Sequence, residues 1–249
     1  MHDATVVSEF THQAEGFNRS AIAHAADTLD ALLELAAPSL SERWLDAACG
    51  PGIVCRALAL RAGSVHGVDL TAAMIDVARR EAAAAGLTNT TYEVGDATAL
   101  AAAGESYDGA LARFAIHHMP LPSRLVGELA RIVRPGGTVV LADHLATEDA
   151  DAAAWTLEVE RLRDPSHWAS LPLRRLRELG TQAGLEPVAE RVSEIELDFD
   201  DWLARGSGDA VLVEHALAQR PGGCDCFHVR SEGGRRVLGL RMWLSAWRR

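Results

Sequence analysis

Leu45-Asp46-Ala47-Ala48-Cys49-Gly50-Pro51-Gly52 is the stretch that decides how this chain is read. Arg43 to Cys49 is short and mostly apolar, as a buried strand requires. Ile53 to Arg61 continues as a helix, with Pro51 at a first-turn position where a missing N–H costs little. Gly50 and Gly52 let the backbone turn tightly and let a ligand approach the peptide planes. The start of the helix offers N–H groups with no intrahelical partner. Asp46 can accept hydrogen bonds from a cationic amine or from the amides of the turn.

Two further acids extend this pattern. Asp69 comes 23 positions after Asp46, at the end of a second strand over Ser64 to Val68. A carboxylate there can accept from both hydroxyls of a ribose. Asp96 ends a third strand over Thr90 to Val94 and can accept from an adenine amino group. The dinucleotide alternative needs a third glycine, where this chain has Cys55 in Gly50-Pro-Gly52-Ile-Val-Cys55. No lysine follows, so a P-loop is excluded too. A ligand with an adenosine but no pyrophosphate fits these residues better.

Outward from this centre, strands and helices alternate. Thr71 is placed to cap a helix over Ala72 to Ala85 through its hydroxyl, and Gly86 suits the left-handed position beyond it. A fourth strand is expected near Tyr107 to Ala112, an amphipathic helix over Pro122 to Val133, a turn at Arg134-Pro-Gly-Gly137, and a fifth strand over Thr138 to Ala142. Such alternation implies right-handed crossovers and a parallel sheet with helices on both faces. Upstream, residues 1–40 read as helical, with Ala21, Ile22, Ala25, Ala26, Leu29, Leu32 and Leu33 forming an apolar stripe that Pro38 closes. Downstream, helices are expected over Glu148 to Arg163, Ser170 to Ala183 and Asp209 to Gln219. Leu185 to Leu197 is strand-like in part, and a final strand spans Val237 to Trp247.

The 249 residues carry a formal net charge of −11, which disfavours a nucleic-acid partner. With 48% hydrophobic and 24% charged residues the composition is that of a globular protein. The four cysteines, Cys49, Cys55, Cys224 and Cys226, have no zinc-site spacing, and no metal is expected. No apolar run reaches the length of a membrane span, and His2-Asp3 replaces the basic start of a signal peptide, so the expected compartment is a reducing cytoplasm.

Asp46-Ala-Ala-Cys-Gly-Pro-Gly52 resembles motif I of class I S-adenosylmethionine-dependent methyltransferases. Gly67-Val-Asp-Leu70 with Met74 resembles their ribose-binding segment, and Gly95-Asp-Ala97 their adenine motif. Tyr107-Asp108 with Ala110 to Met119 resembles the fourth-strand motif, and Leu129 to Val140 the segment that follows it. The match covers about residues 43–145 and is nearest to the ubiquinone/menaquinone-biosynthesis-like (UbiE) branch. The resemblance implies a Rossmann-like three-layer α/β/α sandwich with a mostly parallel seven-stranded sheet. With no internal repeat, linker or low-complexity tract, the chain reads as a single domain over 1–249, made of a helical lid (1–40), a cofactor-binding core (41–145), and a substrate cap with the final strands (146–249). The resemblance also implies S-adenosylmethionine as cofactor and S-adenosylhomocysteine as product. Asp69 would hold the ribose and Asp96 the adenine, while Asp46, Ala48, Gly50 and Gly52 would surround the methionine moiety. Leu70, Met74 and Ala97 would pack on the adenosine, and Arg113 would line the methionine side. Phe10 and Phe17 resemble the segment that folds over the cofactor.

For the chemistry, His117 and His118 follow strand four beside the expected methyl position, and an imidazole can take a proton from an oxygen, nitrogen or acidic carbon. His118 is the first candidate base, and His144, at the end of strand five, is another. Phe17, Trp155 and His167 are candidate substrate-pocket residues, and Trp155, Trp168 and Trp202 could form a wall for a flat or prenyl-like molecule. The expected partner is a small-molecule acceptor of secondary-metabolite or quinone-like type; a homodimer is left open. Two alternatives share these motifs: a cofactor-retaining enzyme that catalyses cyclisation or rearrangement, and a cofactor-binding regulatory subunit.

Overall fold

The computed structural model describes residues 2–19 and 26–249. Helix α1 spans His2–Arg19 and α2 spans Ala26–Ala36. Ala21, Ile22 and Ala25 of the expected stripe lie outside the described residues. The alternating half follows with β1 (Arg43–Ala47), α3 (Ile53–Ala59), β2 (Ser64–Asp69), α4 (Ala72–Ala84), β3 (Thr90–Val94), β4 (Tyr107–Arg113), α5 (Pro122–Ile132) and β5 (Val133–Ala146). The second half holds α6 (Ala150–Arg163), β6 (Leu171–Pro172), α7 (Leu173–Gln182), β7 (Glu186–Asp198), α8 (Phe199–Arg205), α9 (Ala210–Gln219), β8 (Phe227–Glu232) and β9 (Arg235–Arg248).

The main path through the sheet has seven strands in the order β3-β2-β1-β4-β5-β9-β7. β3, β2, β1, β4 and β5 pair in parallel, whereas β9 runs antiparallel to both β5 and β7. Strand periodicity splits the core into two layers. Trp44, Leu111, Val140 and Leu244 point to one face, under α2, α3, α6, α8 and α9. Their neighbours Leu45, Ala110, Val139 and Trp243 point to the other, under α5 and α7. The result is the three-layer α/β/α sandwich, with two short strands, β6 on β5 and β8 on β9, beyond the expected seven.

Several local expectations need correction. The turn expected at Arg134–Gly137 is absorbed into β5 as a bulge: Tyr107 faces Val133, and the register resumes at Gly109 opposite Thr138. Thr71 is the N-cap of α4, but its side chain makes no capping bond; the carboxylate of Asp69 accepts from the Thr71 N–H instead. Pro51 lies before the helix, since Gly52 is the N-cap of α3. The helix expected from Ser170 starts at Leu173, after the short β6. α8 and β8 were not foreseen. α8 is capped by Asp198, which accepts from the Asp201 N–H, and β8 joins β9 through Gly233-Gly234, both at positive φ. A Gly-Gly pair between alternating residues is a hairpin signal. No helix among the described residues is long and apolar enough to cross a membrane.

Candidate active site

The carboxyl ends of β1, β2, β3, β4 and β5 form one wall of a cavity of about 340 Å³, which α1 and the loop after α6 close from the other side. At the β1 end the backbone is held in uncommon conformations. Ala48 has φ 56° and Gly50 φ 52°, and on β4's side Phe114 has φ 57°. A left-handed alanine and phenylalanine cost energy, and they persist here at the edge of a ligand-sized space. A Cβ at Gly50 would meet nothing within 4 Å. Gly52 is different: a Cβ there would sit 2.9 Å from Cβ of Ala78 and 3.0 Å from the ring of Tyr92. It therefore serves the packing of α3 against α4 and β3 and does not line the cavity, contrary to its expected role beside the ligand.

The three strand-end acids all line the cavity. Asp69 accepts from the N–H of Gly50 at 2.8 Å and of Thr71 at 2.9 Å, which fixes the turn and the start of α4 together. Burial raises its pKa. Asp46 is fully buried and takes a hydrogen bond from the Cys55 thiol at 3.2 Å. The residue that broke the dinucleotide pattern thus supports this acid. Burial pushes Asp46 up to about 7, opposed by the Cys55 bond and by the charge of Arg113. Arg113 is itself brought down to about 10 by burial, with Asp46 opposing. Oδ1 of Asp96 accepts from both the N–H and the hydroxyl of Thr98. Ala48, Leu70, Met74, Ala97 and Arg113 also line the space.

The opposite end is a wall of histidines. His117 and His118 stand on a single 3-10 turn after β4, His144 near the end of β5, and His167 after α6. The rings of His117 and His144 stack at 4.6 Å and 12°, and His118 and His167 lie 4.1 and 5.1 Å from His117. Asp143 organises the wall: it accepts from the N–H groups of Ile116, His117 and His144 and from Nδ1 of His117 at 2.5 Å. Burial lowers His117 well below the usual histidine range, with the charge of His118 adding to the effect, so this contact is a hydrogen bond from a neutral imidazole. Burial brings His144 down to about 3 and pushes Glu160 up to about 7. Both ring nitrogens of His144 are buried with no hydrogen-bond partner among the described residues. His118 is half-buried, and its Nδ1 lies 3.1 Å from the carbonyl oxygen of Ser166. The Ser166 hydroxyl donates to Asp164 at 2.6 Å.

α1 covers the mouth. Phe10 packs edge-on against His118, Nε2 of His2 meets the carbonyl of His118 at 2.7 Å, and Gln13 donates to Asp164 at 3.3 Å. Phe17 and His167 line the cavity as expected of pocket residues. Trp155 does not: it is buried between α6 and α9, donates to the carbonyl of Ala216 at 2.8 Å and packs edge-on against Phe227. Its apolar surroundings make it core. Trp168 is partly exposed and packs against His2 outside the cavity. Trp202 alone of the three lines it. Sequence reasoning missed Asp143, Glu160, Arg163 and Asp164 as site residues. Asp143 could have been found as an apolar strand's one buried acid; the other three sit on a charged helix end that looks solvated.

The methyltransferase domain family matches residues 45–141, from the Asp46 strand through β5. The "uncharacterized methyltransferase YcgJ" of Bacillus subtilis is 27% identical over 81% of this chain and 79% of its own length. Its crystal structure superposes with a TM-score of 0.80 at 25% identity, covering 90% of this chain and 98% of that one. The "uncharacterized protein YafE" of Escherichia coli is 30% identical over 61% of this chain and 73% of its own length. The chain belongs to the methyltransferase family. It is a methyltransferase of Rossmann-like fold, and membership implies S-adenosylmethionine as methyl donor. A ubiquinone biosynthesis O-methyltransferase of Paracidovorax citrulli is 33% identical over 49% of this methyltransferase and 50% of its own length.

Proposed function

We propose that this chain transfers the methyl group of S-adenosylmethionine to a small, flat or prenyl-like acceptor, with His118 as the base. One observation carries this reading: a single cavity joins the three strand-end acids to the histidine wall. The residues at the first end fit the cofactor. Asp46, Asp69 and Asp96 are carboxylates that can accept from amine, ribose and adenine donors, and the open side of Gly50 leaves room beside the backbone. Leu70, Met74 and Ala97 offer an apolar surface to the adenosine, and Ala48 and Arg113 border the methionine side. When bound, S-adenosylmethionine supplies an electrophilic sulfonium methyl and leaves as S-adenosylhomocysteine.

The protein's own work is placement, proton removal and exclusion of water. The Ser166 carbonyl can only accept, so Nδ1 of His118 carries the proton and Nε2 keeps its lone pair. That tautomer can take a proton from an acceptor hydroxyl, amine or acidic C–H. Phe10, Phe17, Met119, Trp202 and His167 form walls suited to an aromatic acceptor. α1 acts as the lid, since Gln13 and His2 tie it to both sides of the histidine wall. The name of the Paracidovorax relative favours a quinone-like phenol over an amine. The test is incubation with methyl-labelled S-adenosylmethionine and a panel of phenols, quinols and enols. Label is expected in product; product formed without label would replace methyl transfer by cyclisation or rearrangement, and cofactor binding with no product from any acceptor would favour a regulatory subunit.

A further inference from the structure

The histidine wall holds more than a base needs. His117, Asp143 and His144 each offer one ligand atom, and these atoms all lie within 4.8 Å of one another. Neither ring nitrogen of His144 has a partner among the described residues, although both are buried. A neutral imidazole always presents one N–H and one lone pair, so an unpartnered one is costly to bury unless something else occupies it. Three backbone N–H groups hold Asp143 in place. The wall is therefore rigid on the carboxylate side and unsatisfied on the imidazole side.

We propose that His117, His144 and Asp143 form a binding site for one divalent first-row transition-metal ion of the zinc or cobalt kind. Two imidazoles and one carboxylate suit such an ion and suit magnesium or calcium poorly, because the latter prefer oxygen ligands throughout. Asp143 now accepts from Nδ1 of His117 at 2.5 Å; the ion would take the place of that proton, so binding is expected to release it and to weaken as pH falls. His167 and Glu160 stand beside the set, with Nδ1 of His167 3.7 Å from Oε2 of Glu160. Two of the proposed ligands come from β5 and the third from the turn that follows β4, the strand paired with β5. Three protein ligands leave one position of a tetrahedral ion open. That position suits an acidic oxygen of the acceptor, a phenol or an enol; this consequence rests on the methyl-transfer reading, whereas binding of the ion does not.

The test uses the whole chain, freed of metal by a chelator and dialysed against zinc, cobalt or magnesium chloride alone. Elemental analysis and the visible spectrum of the cobalt form are the readouts, with S-adenosylhomocysteine titrated in parallel by calorimetry. One zinc or cobalt per chain is expected, with magnesium not retained. His144→Phe keeps the ring and the stack but is expected to lose the ion. Asp143→Asn removes a ligand and is expected to weaken zinc binding by more than the roughly 100-fold that loss of an outer-shell partner costs. His66→Ala, on β2 away from the wall, is expected to bind zinc as the parent does. Circular dichroism checks that each variant is folded, and if His144→Phe is not, Asp143→Asn decides. No retained zinc or cobalt in the parent, or equal retention in the variants at the wall, would overturn the proposal. If S-adenosylhomocysteine binds and zinc does not, only this inference fails; if zinc binds and S-adenosylhomocysteine does not, only the methyl-transfer reading does.

Discussion

The two ends of the cavity are built in different ways. At the β1–β3 end, the acids are held largely from nearby: Asp96 by Thr98 two residues on, Asp46 by Cys55 nine residues on, and Asp69 by Thr71 two residues on and by Gly50 of the adjoining turn. At the β4–β5 end, His117 and His118 depend on residues far away. His117 is bonded to Asp143, His118 to Ser166, and the loop after α6 donates to the His117 carbonyl through the N–H groups of Trp168 and Ala169. The cofactor end is built mainly from the turns that follow β1, β2 and β3. The histidine end exists only once β4, β5 and α6 have come together, so damage there should spread into stability as well as function.

The largest contrast is expected from Asp143→Ala. It leaves a buried imidazole N–H and three amides without an acceptor. Removing one partner of such a network costs about 3–5 kcal/mol, read from the urea midpoint of metal-free protein. His118→Ala is expected to lower turnover by about 100-fold or more while leaving S-adenosylhomocysteine affinity nearly unchanged. Equal turnover would remove His118 from the base role.

Glu160→Gln probes the burial of charge behind the histidine wall. Glu160 titrates at about 7 in the folded chain, above its ordinary value of 4.5, so the folded state binds more protons between these values. Its contribution is fully present below about pH 4.5 and is lost as pH rises through 7. Glu160→Gln should therefore gain stability relative to the parent from pH 5 to pH 8, by on the order of 1–3 kcal/mol. Urea unfolding at the two values checks it, and a difference independent of pH would refute it.

Asp69→Ala is expected to cost about 1–3 kcal/mol of cofactor affinity by calorimetry through lost ribose hydrogen bonds. Its stability cost should be smaller than that of Asp143→Ala, since it frees two amides rather than a buried network. The smallest effect is expected from Trp155→Phe. It loses one hydrogen bond to Ala216, about 1 kcal/mol of stability, and leaves turnover unchanged. A fall in turnover would return Trp155 to the substrate pocket.

Much of the first half was legible in the sequence because its signals are short. β3 runs from Thr90 to Val94 as read, and β1, α3, β2, α4 and α5 differ from expectation only at their ends. The strand-end acids were found by spacing, and all three line the cavity. Gly52 was misread because a glycine spared for packing and one spared for a ligand look alike until the neighbours Ala78 and Tyr92 are in place. Trp155 and Trp202 are indistinguishable as letters, and only their positions on α6 and α8 separate a core residue from a cavity wall. β8 was missed although its Gly233-Gly234 turn was visible, because the long apolar β9 drew the boundary past it.

The sequence by itself determined the order of strands and helices and the acids at the strand ends, because both follow from periodicities and turns spanning a few residues. Only the tertiary structure decided that four histidines from three elements meet at the ring of His117, and that α1 closes over them. Such convergence depends on sheet register and crossover packing across tens of residues, and no local pattern in the chain encodes a distance between side chains so far apart in sequence.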